Sequence, residues 1–141
     1  MKNEDILYSK YKKAVASPGG EVFLYFSEAT RFARDLKNEN IAIIGIEGFY
    51  YRDGKIEPQM DMITDFSPRV EKEDAKRNWA TFRASRMAGA DYFFQYIVDN
   101  HPLRDLIFCF VLCDEDDFFS WRKSSIGFLG SFLQSVRERL K

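Results

Sequence analysis

Cysteine and histidine are scarce: two cysteines, Cys109 and Cys113, and a single histidine, His101, stand among 141 residues. A structural zinc site draws about four Cys or His ligands from spaced pairs, so the composition speaks against a bound metal, and no motif asks for any other cofactor. If the apolar run that holds the two cysteines is a strand, they lie about 13 Å apart, beyond the roughly 7 Å that a disulfide tolerates, and they read as reduced core residues. Charge of one sign is not in excess. Twenty-one Lys and Arg against 22 Asp and Glu leave a net charge of -1, which removes the general electrostatic pull toward nucleic acid or an anionic membrane. No apolar run approaches the roughly 20 residues that a membrane-spanning helix needs. Met1 to Asp5 is polar and acidic, without the basic and then apolar pattern of a secretory leader, which implies a cytoplasmic protein. Neither Gly45-Ile46-Glu47-Gly48 nor Gly127-Phe128-Leu129-Gly130 has the spacing of a phosphate loop or a dinucleotide fingerprint. The first reads as a strand with close backbone approach, the second as tight helix packing. No recognisable nucleophile motif lies beside His101, which reads as a turn residue before Pro102.

What is abundant is aromatic side chain, 16% of the chain with 14 Phe, in a composition 45% hydrophobic. The length suits one domain over residues 1–141, able to bury about two-thirds of its surface without disulfides or metals.

Leu7, Tyr11, Ala14 and Val15 form one stripe over residues 4–16, which predicts a short helix ended by Ser17-Pro18-Gly19-Gly20. From Glu21 to Lys37 the apolar residues follow a 3.6 period, favouring one continuous helix over a strand at Val22 to Phe26 followed by a helix capped at Ser27. Ile41 to Tyr51 and Ile56 to Phe66 flank Asp53-Gly54, the signal of a two-residue hairpin. Pro58 cannot donate to the ladder, so its strand should lie at an edge or carry a bulge there. A long helix is expected from about Glu73 to Asp99, ended by Asn100-His101-Pro102. Leu106 to Cys113 has the unbroken apolar character of a central strand, and Ile126 to Leu140 the period of a last helix. The expected fold is α+β: a small sheet of about three strands, the hairpin plus the central strand, packed with about four helices.

Regular pairing across Asp53-Gly54 would set Glu47 opposite Met60, Ile46 opposite Asp61 and Ala42 opposite Asp65, with Glu57, Asp61 and Asp65 in a row on the face away from Glu47. Such a row is a solvated face, a recognition surface or part of a carboxylate catalytic pair. Glu47 falls on the apolar face of its strand and Arg86 in the middle of the apolar face of the long helix. A buried guanidinium requires a carboxylate, so Arg86 is expected to form a structural ion pair with Glu47 or else Asp61. Asp114, Glu115, Asp116 and Asp117, followed by Phe118, Phe119 and Trp121, read either as a solvated turn or as a docking site in which the acids steer a basic partner and the aromatics anchor it. As steering charges, Asp116 and Asp117 should be replaceable without harm to the fold.

The stretch Asn40-Ile41-Ala42-Ile43-Ile44-Gly45-Ile46-Glu47-Gly48-Phe49-Tyr50, with Asp53-Gly54-Lys55-Ile56-Glu57-Pro58 and Asp61-Met62-Ile63-Thr64-Asp65-Phe66-Ser67, resembles bacterial immunity proteins of polymorphic and contact-dependent toxin systems. Their similar segment also has an Ile-Leu-Gly strand after a helix, a short turn and a second strand ending in an acidic, aromatic patch. The resemblance implies a protein that binds and blocks a cognate toxin domain, such as a nuclease with a basic cleft, in a stoichiometric complex. Glu57, Asp61, Asp65, Asp114 to Asp117, Phe118 and Trp121 are then the partner-binding candidates. Two other readings stand beside it: a small carboxylate-dependent hydrolase using Glu47, Asp61 and Arg86, and a subunit that pairs with a second copy through its aromatic surface.

Overall fold

In the computed structural model, residues 3–16, 21–65 and 79–121 are described. They build a five-stranded, wholly antiparallel sheet with four α-helices, so the α+β class holds while the expected three strands become five. The elements in chain order are α1 (Asn3–Tyr8), β1 (Lys13–Ala16), β2 (Val22–Tyr25), α2 (Phe26–Asp35) with a 3-10 turn over Leu36–Asn38, β3 (Ile41–Arg52), β4 (Lys55–Asp65), α3 (Trp79–Asn100), β5 (Leu106–Asp114) and α4 (Glu115–Trp121). The strand order is β1-β2-β5-β3-β4, which puts β5 in the centre, where its apolar run belongs.

Both extra strands come from segments whose periodicity reads as helical. The helix expected over 4–16 ends at Tyr8, with Ser9 and Tyr11 donating backbone N–H bonds to Ile6 and Tyr8 in closing turns. Tyr8 stacks on Phe32 of α2 at 4.6 Å and Tyr11 meets the same ring edge-on at 5.1 Å, after which the chain pairs as β1. The continuous helix expected from Glu21 is likewise replaced, because a helical stripe leaves Phe23 and Leu24 unplaced. As β2 residues they point to opposite faces, and both are buried. The helix that follows begins at Phe26 with Tyr25 as its cap, in place of a Ser27 cap.

Even-numbered β5 residues Leu106, Phe108, Phe110 and Leu112 join the larger core, with α2 and the Met87–Ile97 part of α3. On the other face, Val111 and Cys113 pack with Trp79, Phe82 and Phe118, while Ile107 and Cys109 pack with Phe23 and Phe49. The cysteines are free and buried on this one strand. His101 N–H bonds the carbonyl of Ile97 and closes α3 where Asn100-His101-Pro102 predicts its end. The part of that helix before Trp79, the Ser17-Pro18-Gly19-Gly20 stop and the expected helix over Ile126 to Leu140 lie outside the described residues.

The hairpin turns at Asp53 and Gly54, both at positive φ (53° and 75°), as a type I′ turn requires. Its first rungs follow the expected register, from Arg52 opposite Lys55 to Phe49 opposite Pro58. Beyond Pro58 the ladder bulges, so Glu47 faces Ile63 where Met60 was expected, Ile46 faces Thr64, and Gly45 faces Asp65. Pro58 lies on an edge strand and next to the irregularity, the two tolerances its missing N–H imposes. The bulge turns Met62 fully inward and leaves Met60 77% exposed. Close approach explains Gly48: a Cβ there would stand 2.9 Å from both Met62 Cβ and Phe108 Cε1.

Candidate functional site

The acidic run begins as a helix cap. Asp114 ends β5, and its Oδ1 accepts the Asp117 amide at 2.7 Å while Asp117 Oδ2 accepts the Asp114 amide at 3.3 Å. This reciprocal arrangement satisfies two amides at the start of α4, and the first-turn carboxylates suit the positive end of the helix dipole. Burial pushes the Asp117 carboxyl above the ordinary carboxylate range, as do the nearby Asp114 and Asp116 charges, against the amide bond that holds it down. Asp117 is exposed, as a steering charge would be, and in addition caps the helix. The reading of Phe118 as a partner anchor is corrected. It is fully buried, 4.7 Å from the Phe82 ring and 5.6 Å from Trp79, and has no surface to offer a partner. Phe119 is the exposed neighbour at 43%. Trp121 is the last residue of α4, and its side chain lies outside what is described.

Glu115 and Asp116, both exposed, do line a surface. With Asp114 and Glu39 they surround an open cleft of about 530 Å³ whose apolar lining is Ile6, Leu7 and Ile41. Asn40 completes the wall, donating to Glu115 Oε1 at 3.1 Å and accepting from Trp79 Nε1 at 2.5 Å. Four carboxylates and no Lys or Arg are among its described lining residues. Glu39, Ile6 and Leu7 were not legible as site residues, since they reach the cleft from the far end of the sequence and from the turn before β3.

On the hairpin the three acids do not form one row. Glu57 lies opposite Tyr50 on the face covered by α2 and α3, whereas Asp65 lies opposite Gly45, two residues beyond Ile63 of the other face. The bulge between them breaks the alternation on which a single row depends.

Glu47 and Arg86 are both buried, at 0% and 1%, as strand alternation and helix period require. Glu47 sits between Cys109 on β5 and Ile63 on β4. Arg86 lies with its guanidinium carbon 4.4 Å from the Phe82 ring centroid and donates to Ser85 Oγ at 2.9 Å. Burial first, then the Glu47 charge, pushes the Cys109 thiol well up. Burial likewise raises Cys113, where the Arg86 charge works the other way. Both thiols are held in the unreactive protonated form.

Asp61, the alternative partner for Arg86 and a member of the pocket expected for a hydrolase, is engaged elsewhere. Its Oδ2 accepts from His101 Nε2 at 2.6 Å and from the Tyr96 hydroxyl at 2.9 Å. Tyr96 is ten residues beyond Arg86, about 15 Å along α3. The second imidazole nitrogen, Nδ1, lies 2.9 Å from the Tyr50 hydroxyl, and the Arg52 guanidinium carbon stands 4.1 Å from the Tyr50 ring centroid. Although partial burial raises it, the Asp61 carboxyl is held below its ordinary range by the bonds from His101 and Tyr96. His101 does occupy a turn, but it also joins β3, β4 and α3. Its partners are 40 and 51 residues away in sequence, so only its being the one histidine, next to a helix-ending proline, marked it in advance.

No protein-family model, curated protein or solved structure matches the chain. Among the described residues, no helix is long and apolar enough to cross a membrane, and no group of three or more His, Cys, Asp or Glu is placed to hold a metal ion.

Proposed function

We propose that this chain is a protein-binding inhibitor of the immunity type, and that its acidic cleft receives a basic surface of a cognate toxin domain. The observation that carries the reading is the cleft itself: Glu39, Asp114, Glu115 and Asp116 around Ile6, Leu7 and Ile41. A lysine or arginine side chain matches such a lining, with its charged head among carboxylates and its methylene stem along the apolar wall. Because the whole chain carries a net charge of only -1, the attraction is concentrated at this end of the sheet. Local complementarity of this kind speeds encounter and excludes wrong partners. Glu47 and Arg86, both buried, serve the same reading if paired, since a buried ion pair fixes one packing of the sheet against α3.

The test is growth. A toxin domain encoded beside this gene is expressed with this chain, with its Glu115→Lys, Asp116→Lys variant, or alone. Rescue by the native chain and its loss in the variant is the expected result, and a toxin that kills equally in all three cultures overturns the reading.

Exposed Met60 and Tyr92, at 77% and 78%, favour a second reading in which two copies pair. A concentration-dependent dimer by sedimentation, abolished by Met60→Lys with Tyr92→Lys, is its expected mark.

A further inference from the structure

At the end of the sheet away from the cleft, about 30 Å along β3, the Tyr50, His101 and Asp61 side chains form a connected chain that the binding function does not use. The order of donors is fixed by chemistry. An ionised carboxylate only accepts, so the 2.6 Å contact to Asp61 requires the proton on His101 Nε2. In the neutral imidazole that leaves Nδ1 as an acceptor, and the Tyr50 hydroxyl donates to it across 2.9 Å. A hydroxyl, a base within hydrogen-bond reach and a third group that orients the base are the arrangement of an activated nucleophile. The Tyr96 hydroxyl bonds the same Asp61 oxygen and holds it in place. Arg52, over the Tyr50 ring, places positive charge beside any negative charge that develops on the phenol.

We propose that Tyr50 is a nucleophilic acyl acceptor, with His101 as its general base and Asp61 as the positioning residue, and that the site takes small activated acyl esters. Tyr50 retains 9% of its surface and the His101 side chain 11%, which limits the acyl group to a small one. In the first step the Tyr50 oxygen bonds the acyl carbon while its proton passes to His101 Nδ1. The bond from the acyl carbon to the ester oxygen breaks, and the leaving alcohol takes its electron pair and then that proton. In the second step water adds to the tyrosyl ester through the same base, releasing the carboxylic acid and restoring the phenol. No oxidant or reductant is involved.

The full chain is treated with p-nitrophenyl acetate at neutral pH, and acetylation is followed peptide by peptide by mass spectrometry. Tyr92, 78% exposed, is the internal control. Accessibility alone makes Tyr92 react faster than Tyr50, whereas an activated Tyr50 reacts faster than Tyr92. His101→Gln and Asp61→Asn are each expected to slow Tyr50 acetylation about 100-fold without changing Tyr92. Tyr50→Phe keeps the ring and removes the acceptor. Acetylation of Tyr92 ahead of Tyr50 in the native chain, or a Tyr50 rate unchanged in both His101→Gln and Asp61→Asn, overturns the proposal. Because these residues lie at the other end of the sheet from the cleft, failure here leaves toxin neutralisation intact, and loss of neutralisation leaves acetylation intact.

Discussion

His101 Nε2 lies 2.6 Å from Asp61 Oδ2, so a loop after α3 is tied to an edge strand 40 residues earlier in the chain. Together with Tyr96 on the same oxygen, this contact holds the bulged part of β4 against α3.

The pH dependence of stability follows from that contact. The hydrogen bonds to Asp61 lower its carboxyl in the folded state, outweighing the opposite effect of burial. A group lowered in the native state contributes stability that is present above its unfolded value of about 3.9 and is lost as pH falls through the folded value. Urea unfolding from pH 7 down to pH 2 should therefore show a steeper acid loss for the native chain than for Asp61→Asn. The two curves should converge at the acid end. Parallel curves would show that the contact contributes nothing to folding.

Gly48→Ala should destabilise the fold by about 1–3 kcal/mol, because the added methyl meets Met62 Cβ and Phe108 Cε1 at 2.9 Å inside the core. Chemical denaturation reads this as a lower midpoint at unchanged slope. A neutral result would mean that Met62 moves aside freely.

Two of the four acids, Asp114 and Asp117, hold the cap on α4. Asp114→Ala should cost about 0.5–2 kcal/mol through loss of the Asp117 amide's acceptor, and Asp117→Ala a similar amount through the reciprocal bond. Exposed Asp116, one position earlier on the same turn, should be nearly silent in the same thermal unfolding series.

For the buried pair, Arg86→Met is expected to be destabilising with Glu47 present and much less so with Glu47→Gln. The coupling in a double-mutant cycle should be about 0.5–3 kcal/mol. Independent effects of the two substitutions would show that they do not act as a pair.

Much of this architecture was legible in the residues, and the losses have physical causes. β5 was readable because an unbroken apolar run flanked by turn residues suits a strand covered on both faces, and the hairpin because Asp53-Gly54 supplies two positive φ values. β1 and β2 were not, because four residues are too few to impose a period of two against the longer helical pattern around them. Phe23 and Leu24, both outside the helical stripe, carried the missed signal. The register beyond Pro58 was lost to a bulge that the proline announced without giving its size. The burial of Glu47 and Arg86 could be seen from periodicity alone, whereas the Tyr50, His101 and Asp61 chain depends on contacts that only the folded backbone creates. Asp114 and Asp117 carry the spacing of a helix cap, and on that ground Phe118 belongs on a helix facing the core.

The central claim, that the acidic cleft meets a basic protein surface, is tested most directly by the association rate of the purified chain with its toxin domain as a function of salt. The native chain should associate faster as ionic strength falls, and Glu115→Lys with Asp116→Lys should lower the low-salt rate at least about tenfold and flatten the salt dependence. Equal rates for the two proteins at every salt concentration would contradict the account.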